Sequence, residues 1–405
     1  MCRIPGWHGL TSFIRLEEPI MKRRIKKLVK DLLKRLDDRL SGYKWRFSTF
    51  EQSAETVTAR YNLYPGTEYH FVHDHANPRD LFYNQKRTDI VLLSNVTFWP
   101  YCSVVQDGHK TLLTDSAFSW ETLRYFIERG SLVRGPVVEE KEPCASIQLG
   151  KFRNHYHWYV DSLPRLYGLH HPDLAKFEKI KLFLCEKLNG DAQELLEAML
   201  PENTVIEYVP ENRRIHAHRY IHLPSLTKDW EGFLPKDYLD FYRNRVFELP
   251  NVGQPLENAG ERIYISRNAA TKRRIVNETQ VVRALSEFGF TCHSLESLSL
   301  KEQVRLFRTA KVIVGPHGAG LTNMIYSTRA KVLEMFSSNY PGRNHYRLLA
   351  AALNHEYGNL FFGKIYGSDE LQIPWKLEYS AVVNNANIEV DVQKMIGKLE
   401  EMSAV

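Results

Sequence analysis

The sequence predicts an α/β protein in which strands and helices alternate along the chain. The segment K-I-K-L-F-L-C at 179–185 reads as a buried strand, and a helical pattern follows at 192–200. A second strand at 262–266 is likewise followed by a helix, over 278–288. Because parallel strands need a crossover connection between them, this alternation indicates parallel sheets.

The length of the chain and one segment rich in turn-forming residues predict two domains. A chain of 405 residues exceeds one typical core. Residues 250–260 are rich in Pro, Gly and Asn and read as a linker. We therefore predict an N-terminal extension over 1–48, a first domain over 49–255 and a second domain over 256–405.

The first part of the N-terminal domain, 49–135, reads as β-rich. Residues 104–112 have the pattern of a hairpin around Asp107-Gly108. At the other end of the chain, 299–309 and 390–402 have helical patterns.

Charge and cysteine content limit the class of protein. The net charge is +6 and the pI about 8.8, which suits an anionic ligand or membrane surface as well as nucleic acid. Five cysteines are scattered without a C-x-x-C pair, which favours a reducing compartment over a zinc site or disulfide framework. No apolar run approaches the ~20 residues of a transmembrane helix. The first 20 residues lack a signal-peptide layout, so the sequence predicts a soluble protein unless it lies on a membrane surface.

Residues 21–40 have the pattern of a basic amphipathic helix, and five of the six residues 22–27 are cationic. Two interpretations remain open. The apolar stripe packs on the body of the protein, or the helix is a peripheral contact with anionic lipid at a membrane face.

A glycine run, Gly-Pro-His-Gly-Ala-Gly at 315–320, lies between strands predicted at 311–314 and 331–336 and opens a short helix. The N–H groups and the dipole of a helix N-terminus favour a phosphate or diphosphate there. The spacing fits neither the dinucleotide fingerprint nor the P-loop. The alternative is a tight turn that needs a positive φ or close packing.

Charged residues follow two of the predicted strands. Arg267 directly follows the strand at 262–266, and three more cations, Lys272, Arg273 and Arg274, come next. Ligands of open α/β sheets bind at the carboxyl ends of strands, where an arginine fork can hold a diphosphate. The alternative is a solvated basic loop.

Glu334 lies inside the strand at 331–336, after the glycine run. A carboxylate in this position can accept hydrogen bonds from ribose hydroxyls, as the acidic residue of dinucleotide folds does. The alternative is an edge glutamate in solvent, although its apolar neighbours favour burial.

His157 and Asp161 are a candidate acid–base pair. If the segment is helical, the two lie on one face, and the carboxylate would orient the imidazole as a general base. Pro164 opens an alternative, in which Asp161 or Ser162 caps a helix that begins at the proline. An Asp-x-Asp of the kind that holds a metal on a nucleotide diphosphate is absent from the sequence.

In combination, these motifs resemble glycosyltransferase family 61. The stretch N-H-Y-H-W-Y-V-D-S-L-P-R-L at 154–166 is similar to the family's N-x-x-H-W-x-x-D-x-L-P-R-L. Y-I-S-R at 264–267 with R-R-I-V-N-E at 273–278, and S-L-K-E-Q-V at 299–304 with G-P-H-G-A-G-L-T-N at 315–323, also fit family motifs. They occur in the family's order, and V-L-E-M-F around Glu334 follows.

The resemblance implies a GT-B fold, in which two Rossmann-like domains face each other across a cleft, with the acceptor domain first. It implies an inverting transferase that moves a hexose or pentose from a nucleotide sugar to a glycan hydroxyl without a metal or other cofactor. His157 or Asp161 would be the base. The donor would contact residues of the second domain, namely Arg267, Arg273, Gly315, His317, Gly318, Ala319, Gly320, Thr322, Asn323 and Glu334.

The resemblance also suggests a cellular role. Without an apparent anchor or leader, the chain looks like a bacterial cytoplasmic enzyme of capsule or lipopolysaccharide synthesis at the inner membrane face, with a glycan or lipid-linked glycan as acceptor and no nucleic-acid partner. A binding protein that has lost turnover on the same scaffold is the alternative. A nucleotide-dependent oxidoreductase is disfavoured by the glycine spacing.

Overall fold

A computed structural model of the chain describes residues 46–64, 69–72, 81–84, 87–119, 122–123, 126–127, 135–227, 232–337, 344–363 and 387–405. The basic helix predicted at 21–40 lies outside these residues, so it stays a prediction. None of the helices within the described residues combines the length and apolar character of a membrane span.

Within the described residues, twelve strands precede the predicted linker: β1 Arg46–Ser48, β2 Val57–Tyr64, β3 Tyr69–Val72, β4 Leu81–Asn84, β5 Thr88–Trp99, β6 Val104–Gln106, β7 Thr111–Leu113, β8 Val137–Glu140, β9 Cys144–Ser146, β10 Ile180–Leu184, β11 Thr204–Tyr208 and β12 Arg214–His222. Ten of them form one sheet, the N-terminal sheet, with the main order β1-β7-β6-β5-β12-β9-β10-β11. β2 joins it beside β5 and β8 beside β12, while β3 and β4 pair separately.

The N-terminal sheet is mixed, with an antiparallel part in the segment predicted as β-rich, 49–135, and a parallel part around the strand predicted at 179–185. β9, β10 and β11 are parallel, as the strand–helix alternation predicts. β5, β6 and β7 form an antiparallel meander because short turns join them, and the turn at Asp107-Gly108 is the predicted hairpin. β12 lies between the two parts, antiparallel to β5 and parallel to β9.

Within the described residues, two α-helices with defined bounds accompany this sheet, together with a π-helix and 3-10 helices. The α-helices are α1, Gly190–Ala198, and α2, Lys236–Phe247. Residues His157–Ser162 form a π-helix, and Leu163–His170 continue as a 3-10 helix with Pro164 in its first turn. A short 3-10 turn, Pro172–Leu174, follows.

The C-terminal sheet contains β13 Arg262–Ser266, β14 Thr291–Ser294, β15 Val312–Pro316, β16 Lys331–Ser337 and β17 Glu356–Phe362. All neighbours are parallel, in the order β14-β13-β15-β16-β17. The connections are α3 Glu278–Ser286, α4 Leu300–Thr309, a 3-10 helix Ala319–Tyr326 and α5 His345–Ala352; α6 Val392–Glu401 follows the last strand. This is a doubly wound order whose strand sequence reverses between β13 and β15.

The two sheets share a hydrophobic core that runs between them. Polar contacts add to it: Lys301 of α4 binds Glu194 of α1 at 2.7 Å, and the hydroxyls of Tyr242 and Tyr326 meet at 2.8 Å. Residues 250–260, the predicted linker, contain turns and no helix or strand. The predicted domain boundaries and the GT-B arrangement stay predictions.

Candidate functional site

The glycine run spans the last two residues of β15, the turn at His317-Gly318 and the first two residues of the 3-10 helix at 319–326. Gly318 is extended, with φ 172°, so the turn does not need the positive φ that the alternative interpretation invoked. What excludes a side chain is proximity, because a Cβ on Gly318 would lie 2.2 Å from Nη1 of Arg267. Gly315 is packed less closely, against β13, where a Cβ would lie 3.1 Å from the Cβ of Ile265. The run therefore lets the Arg267 guanidinium lie directly on the backbone.

A carboxylate fixes the loop that carries Arg267. Glu278, the first residue of α3, accepts hydrogen bonds from the Tyr264 hydroxyl at 2.9 Å and the Ser266 hydroxyl at 3.0 Å. The backbone N–H of Arg267 reaches the same oxygen at 3.4 Å. Through these hydrogen bonds, Glu278 fixes the backbone at the end of β13 and therefore the position from which the Arg267 side chain extends.

Arg267 and Arg273, in the loop that follows β13, are close enough for their charges to repel each other. Burial, and next the charge of Arg273, lower the pKa of the Arg267 guanidinium. The Nε atoms of both arginines are buried and have no hydrogen-bond partner among the residues that the structure describes. Arg273 is also held at φ 55°, a conformation that costs a non-glycine residue on the order of 1 kcal/mol. A buried anion between them would satisfy the donors and relieve the repulsion.

His317 is hydrogen-bonded to Glu334 of the neighbouring strand β16. Its Nδ1 is hydrogen-bonded to Glu334 Oε1, and the hydroxyl of Tyr357 in β17 donates to the other carboxylate oxygen at 2.5 Å. Glu334 is completely buried. The burial predicted from its apolar neighbours is therefore confirmed, and the solvent-exposed alternative is wrong.

Three of the residues predicted to contact the donor, Glu334, Thr322 and Asn323, are buried in the protein. A ribose could reach Glu334 only by displacing His317 or Tyr357, since both carboxylate oxygens are in use. Thr322 and Asn323 are also buried, in the 3-10 helix behind the glycine run. Direct contact of these three residues with a donor stays a prediction.

His157 and Asp161 form the predicted pair, at 2.7 Å between Nδ1 and Oδ2. The second carboxylate oxygen of Asp161 accepts a hydrogen bond from the Thr227 hydroxyl at 2.5 Å, a partner that sequence reasoning missed. Ser162, the N-cap of the 3-10 helix, makes no capping hydrogen bond through its side chain. The capping alternative is therefore wrong, although Pro164 does lie in the first turn of that helix.

Burial separates the two members of this pair. Asp161 is completely buried, which raises the pKa of its carboxyl, and the bonds from His157 and Thr227 oppose that rise. The His157 side chain remains 18% exposed. An incoming hydroxyl could therefore reach the imidazole but not the carboxylate.

A second histidine connects this segment to the glycine run. His155 Nε2 is 2.8 Å from Asn323 Oδ1, and the Asn323 amide nitrogen donates to Gln303 Oε1 at 2.6 Å. Gln303 in turn donates to the carbonyls of Leu295 and Leu298. Burial lowers the pKa of His155, which keeps the ring neutral and the Nε2–H as donor. Asn323 thus ties the two motifs together.

Aromatic rings fill the space between His157 and His317. Tyr156 packs edge-on against His157 at 5.4 Å between centroids and against Tyr346 of α5 at the same distance. Tyr346 in turn meets His317 at 5.4 Å. The Tyr156 hydroxyl is buried and has no hydrogen-bond partner. The structure therefore brings the predicted base and the predicted diphosphate loop to one location.

A cavity of about 570 Å³ opens beside the arginine loop. Its polar lining includes Ser266, Asn268, Arg274 and Glu278, and α3 contributes the apolar Val282. This volume is within the range of small-molecule sites. Elsewhere in the described residues, His, Cys, Asp and Glu do not gather in groups of three or more that could hold a metal ion.

Comparison with known proteins supports glycosyltransferase family 61 for this part of the chain. A family model described as Glycosyltransferase 61 matches residues 155–333. The match begins within the histidine segment, includes the arginine loop and the glycine run, and ends directly before Glu334.

The chain is also similar to two plant enzymes. It is 43% identical over 61 residues to a beta-1,2-xylosyltransferase of Oryza sativa subsp. japonica, a stretch that is 15% of this chain and 11% of that protein. It is 32% identical over 98 residues to a beta-1,2-xylosyltransferase of Arabidopsis thaliana, which is 21% of this chain and 18% of the relative. The chain thus matches less than a fifth of each relative's length. Both relatives are plant xylosyltransferases, and the bacterial capsule or lipopolysaccharide assignment stays a prediction.

Proposed function

We propose that the chain is an inverting glycosyltransferase that moves a sugar from a nucleotide sugar to a hydroxyl of a glycan. One observation carries the proposal. Arg267, whose guanidinium lies against Gly318, and Arg273 carry buried Nε donors that have no hydrogen-bond partner within the described residues. Both follow β13, next to the point between β13 and β15 where the strand order of the sheet reverses and ligands of doubly wound sheets bind. A diphosphate is the ligand that this pair of guanidinium groups suits best.

The nucleotide sugar would bind along the carboxyl edge of the C-terminal sheet. Its diphosphate would lie between Arg267, Arg273 and the first N–H groups of the 3-10 helix at 319–326. The 570 Å³ cavity beside Ser266 would take the nucleoside. These cations and N–H groups supply stabilisation for the leaving charge, so we propose a metal-independent reaction.

His157 would be the general base and Asp161 would orient it. With Nδ1–H bonded to Asp161, Nε2 is the nitrogen that takes the proton of the acceptor hydroxyl. The acceptor oxygen forms a bond to the anomeric carbon as the bond from that carbon to the diphosphate breaks. The bonding electron pair leaves with the diphosphate, so a single displacement inverts the configuration.

We propose a pentose as the first sugar to test, because the two relatives are named as xylosyltransferases. A role in surface polysaccharide has no comparable support in these relatives. The acceptor is therefore stated only as a glycan hydroxyl.

The test combines binding and turnover. A thermal-shift panel of UDP-, GDP- and CMP-sugars, with UDP-xylose included and NAD(P) as the contrasting ligand, identifies the donor. Nucleotide release with that donor and candidate glycan acceptors then measures transfer. Binding without acceptor-dependent release would favour the silent binding protein, and binding of NAD(P) alone would refute the proposal.

Variants assign the roles. His157→Gln should lower kcat by about 10²- to 10⁴-fold with donor binding retained. Arg267→Ala should weaken donor binding itself. His218→Gln is the matched control, because His218 also pairs with a carboxylate, Glu139, but at the surface of β12. Wild-type turnover of His157→Gln would exclude His157 as the base.

A further inference from the structure

A chain of hydrogen bonds connects the histidine segment to the C-terminal sheet, and its direction is fixed at one end. Gln303 of α4 donates from Nε2 to the carbonyls of Leu295 and Leu298, both at 3.0 Å. Because carbonyls only accept, they determine which way the Gln303 amide faces, and its Oε1 accepts from Asn323 Nδ2 at 2.6 Å. Asn323 Oδ1 must then accept from His155 Nε2, at 2.8 Å.

Both ends of this chain lie next to parts of the proposed site. At one end, Leu295 packs on the glycine run, since a Cβ on Gly320 would lie 2.8 Å from Leu295 Cδ1. At the other end, His155 lies two residues before the π-helix, and its ring contacts Tyr159 of that helix at 4.5 Å between centroids. A π-helix is rare and is found mostly at functional sites. The chain therefore bridges the glycine run and the start of the helix that carries His157.

We propose that the three residues of this chain, His155, Asn323 and Gln303, are positioning residues. They fix the start of the π-helix relative to the glycine run and thereby set where His157 lies. Asn323 is buried and both of its polar atoms are bonded within the protein, so an indirect role replaces its predicted contact with the donor. This inference rests on the proposed function, in which His157 is the base and the glycine run receives the diphosphate.

Two substitutions at His155 separate the hydrogen bond from the shape of the ring. His155→Phe keeps a ring against Tyr159 and leaves the buried Asn323 oxygen without its donor. His155→Gln removes the ring and keeps an N–H donor on a side chain of similar length. A shift of about 1 Å in a group that acts on substrate costs on the order of 100-fold in rate. We expect kcat to fall by about that factor in His155→Phe, with the donor KM changed by less than about 3-fold, and His155→Gln to recover at least about 10-fold of the loss.

A double-mutant cycle tests whether His155 acts through Asn323. Asn323→Leu keeps the volume of the side chain and removes both of its hydrogen bonds. We expect this variant to lower kcat as His155→Phe does, and the double variant to lose little more than either single variant. Losses that add in the double variant would overturn the inference.

His170→Phe is the matched control for His155→Phe. His170 Nε2 also lies 2.8 Å from an acceptor, the Met199 carbonyl, and burial lowers the pKa of both histidines. The bond of His170 stays within the N-terminal part of the chain, so its loss should leave kcat unchanged. Wild-type kcat in His155→Phe, or equal losses of kcat in the two variants, would overturn the inference.

Hydrogen exchange measured without donor separates this inference from the proposed function. Asn323 lies 168 residues from His155 in sequence, so an effect of Asn323→Leu on the π-helix reports the connection itself. We expect the backbone amides of 157–162 to exchange at least about 10-fold faster in Asn323→Leu, while those of α1, Gly190–Ala198, keep their rates. Unchanged exchange in 157–162, or an equal increase in both segments, overturns the inference even where transfer is found. A wild type that binds no nucleotide sugar refutes the proposed function, and the exchange of 157–162 then decides the inference alone.

Discussion

Gly318→Ala should disable the site without unfolding the protein. The backbone at Gly318 is extended, so alanine adopts its conformation without strain. The new Cβ would lie 2.2 Å from Arg267 Nη1 and 3.0 Å from Cζ, while ordinary contact begins at 3.4 Å. The guanidinium is the end of a flexible side chain and must therefore retreat by about 1 Å.

That displacement sets the expected magnitude. A misplacement of about 1 Å in a group that positions substrate costs on the order of 100-fold in rate. This corresponds to about 2.7 kcal/mol of transition-state free energy. The free energy of unfolding should change by less than about 0.5 kcal/mol, since no core contact is lost.

The assay is nucleotide release for kcat/KM, with urea unfolding for stability. Gly253→Ala is the control, because a Cβ there meets nothing within 4 Å. A double-mutant cycle with Arg267→Ala isolates the cause: if Gly318→Ala acts by displacing Arg267, it should cost little more once the arginine is gone. Wild-type kcat/KM in Gly318→Ala, or losses that add in the double variant, would refute the reasoning.

Three further predictions concern other parts of the chain. Arg165 is buried, with its pKa lowered by burial to about 10, and donates to the Leu223 and Ile147 carbonyls and the Ser103 hydroxyl. Arg165→Met should therefore lower the free energy of unfolding in urea by about 3 kcal/mol through unpaired acceptors. The control Arg153→Met, at a surface ion pair, should cost less than about 1 kcal/mol, and equal losses would contradict the argument. Burial lowers the pKa of His355 from 6.5 to about 4, while its ring accepts from Ala330 N–H and donates to the Met324 carbonyl. The unfolded chain binds the extra proton between these values, so stability is full above pH 6.5 and should fall by up to about 3 kcal/mol towards pH 4. His355→Gln should flatten this dependence in urea unfolding at a series of pH values, and an unchanged slope would exclude His355 as its source. Deletion of residues 1–40 should abolish co-sedimentation with anionic vesicles, and unchanged co-sedimentation would leave the basic helix as a packing element.

Local patterns predicted the C-terminal half well. The strands at β13, β15 and β16 and the short helix after the glycine run were predicted because strong apolar runs and turn residues delimit them. The helix predicted over 299–309 is α4, and its start is also marked locally, by a capping box with Ser299 as N-cap and Glu302 as its third helical residue.

Partners from distant parts of the chain could not be predicted. Thr227 reaches Asp161 from 66 residues away, and Tyr357 reaches Glu334 from 23. No spacing rule encodes such contacts, because they depend on which strand ends meet after folding. The predicted role of Glu334 came from fold analogy, which places a carboxylate at this strand but not the residues bonded to it.

The N-terminal sheet shows the same limit at the level of topology. β12 has the sequence R-I-H-A-H-R-Y-I-H, in which polar and apolar residues alternate only over the first five positions, so it gives a weak strand signal. Its insertion between β5 and β9 makes the sheet mixed. Pairing of strands about 120 residues apart is decided by tertiary packing rather than by local pattern.

The chain of hydrogen bonds from His155 through Asn323 to Gln303 has an evolutionary consequence. Each amide or imidazole is matched to the next by donor and acceptor, so a change at one position leaves a buried group unpaired at another. Substitutions at these three positions should therefore be accepted together or not at all. In an alignment of homologues, they should co-vary across more than 160 residues of intervening sequence, which would mark the two motifs as a single inherited unit.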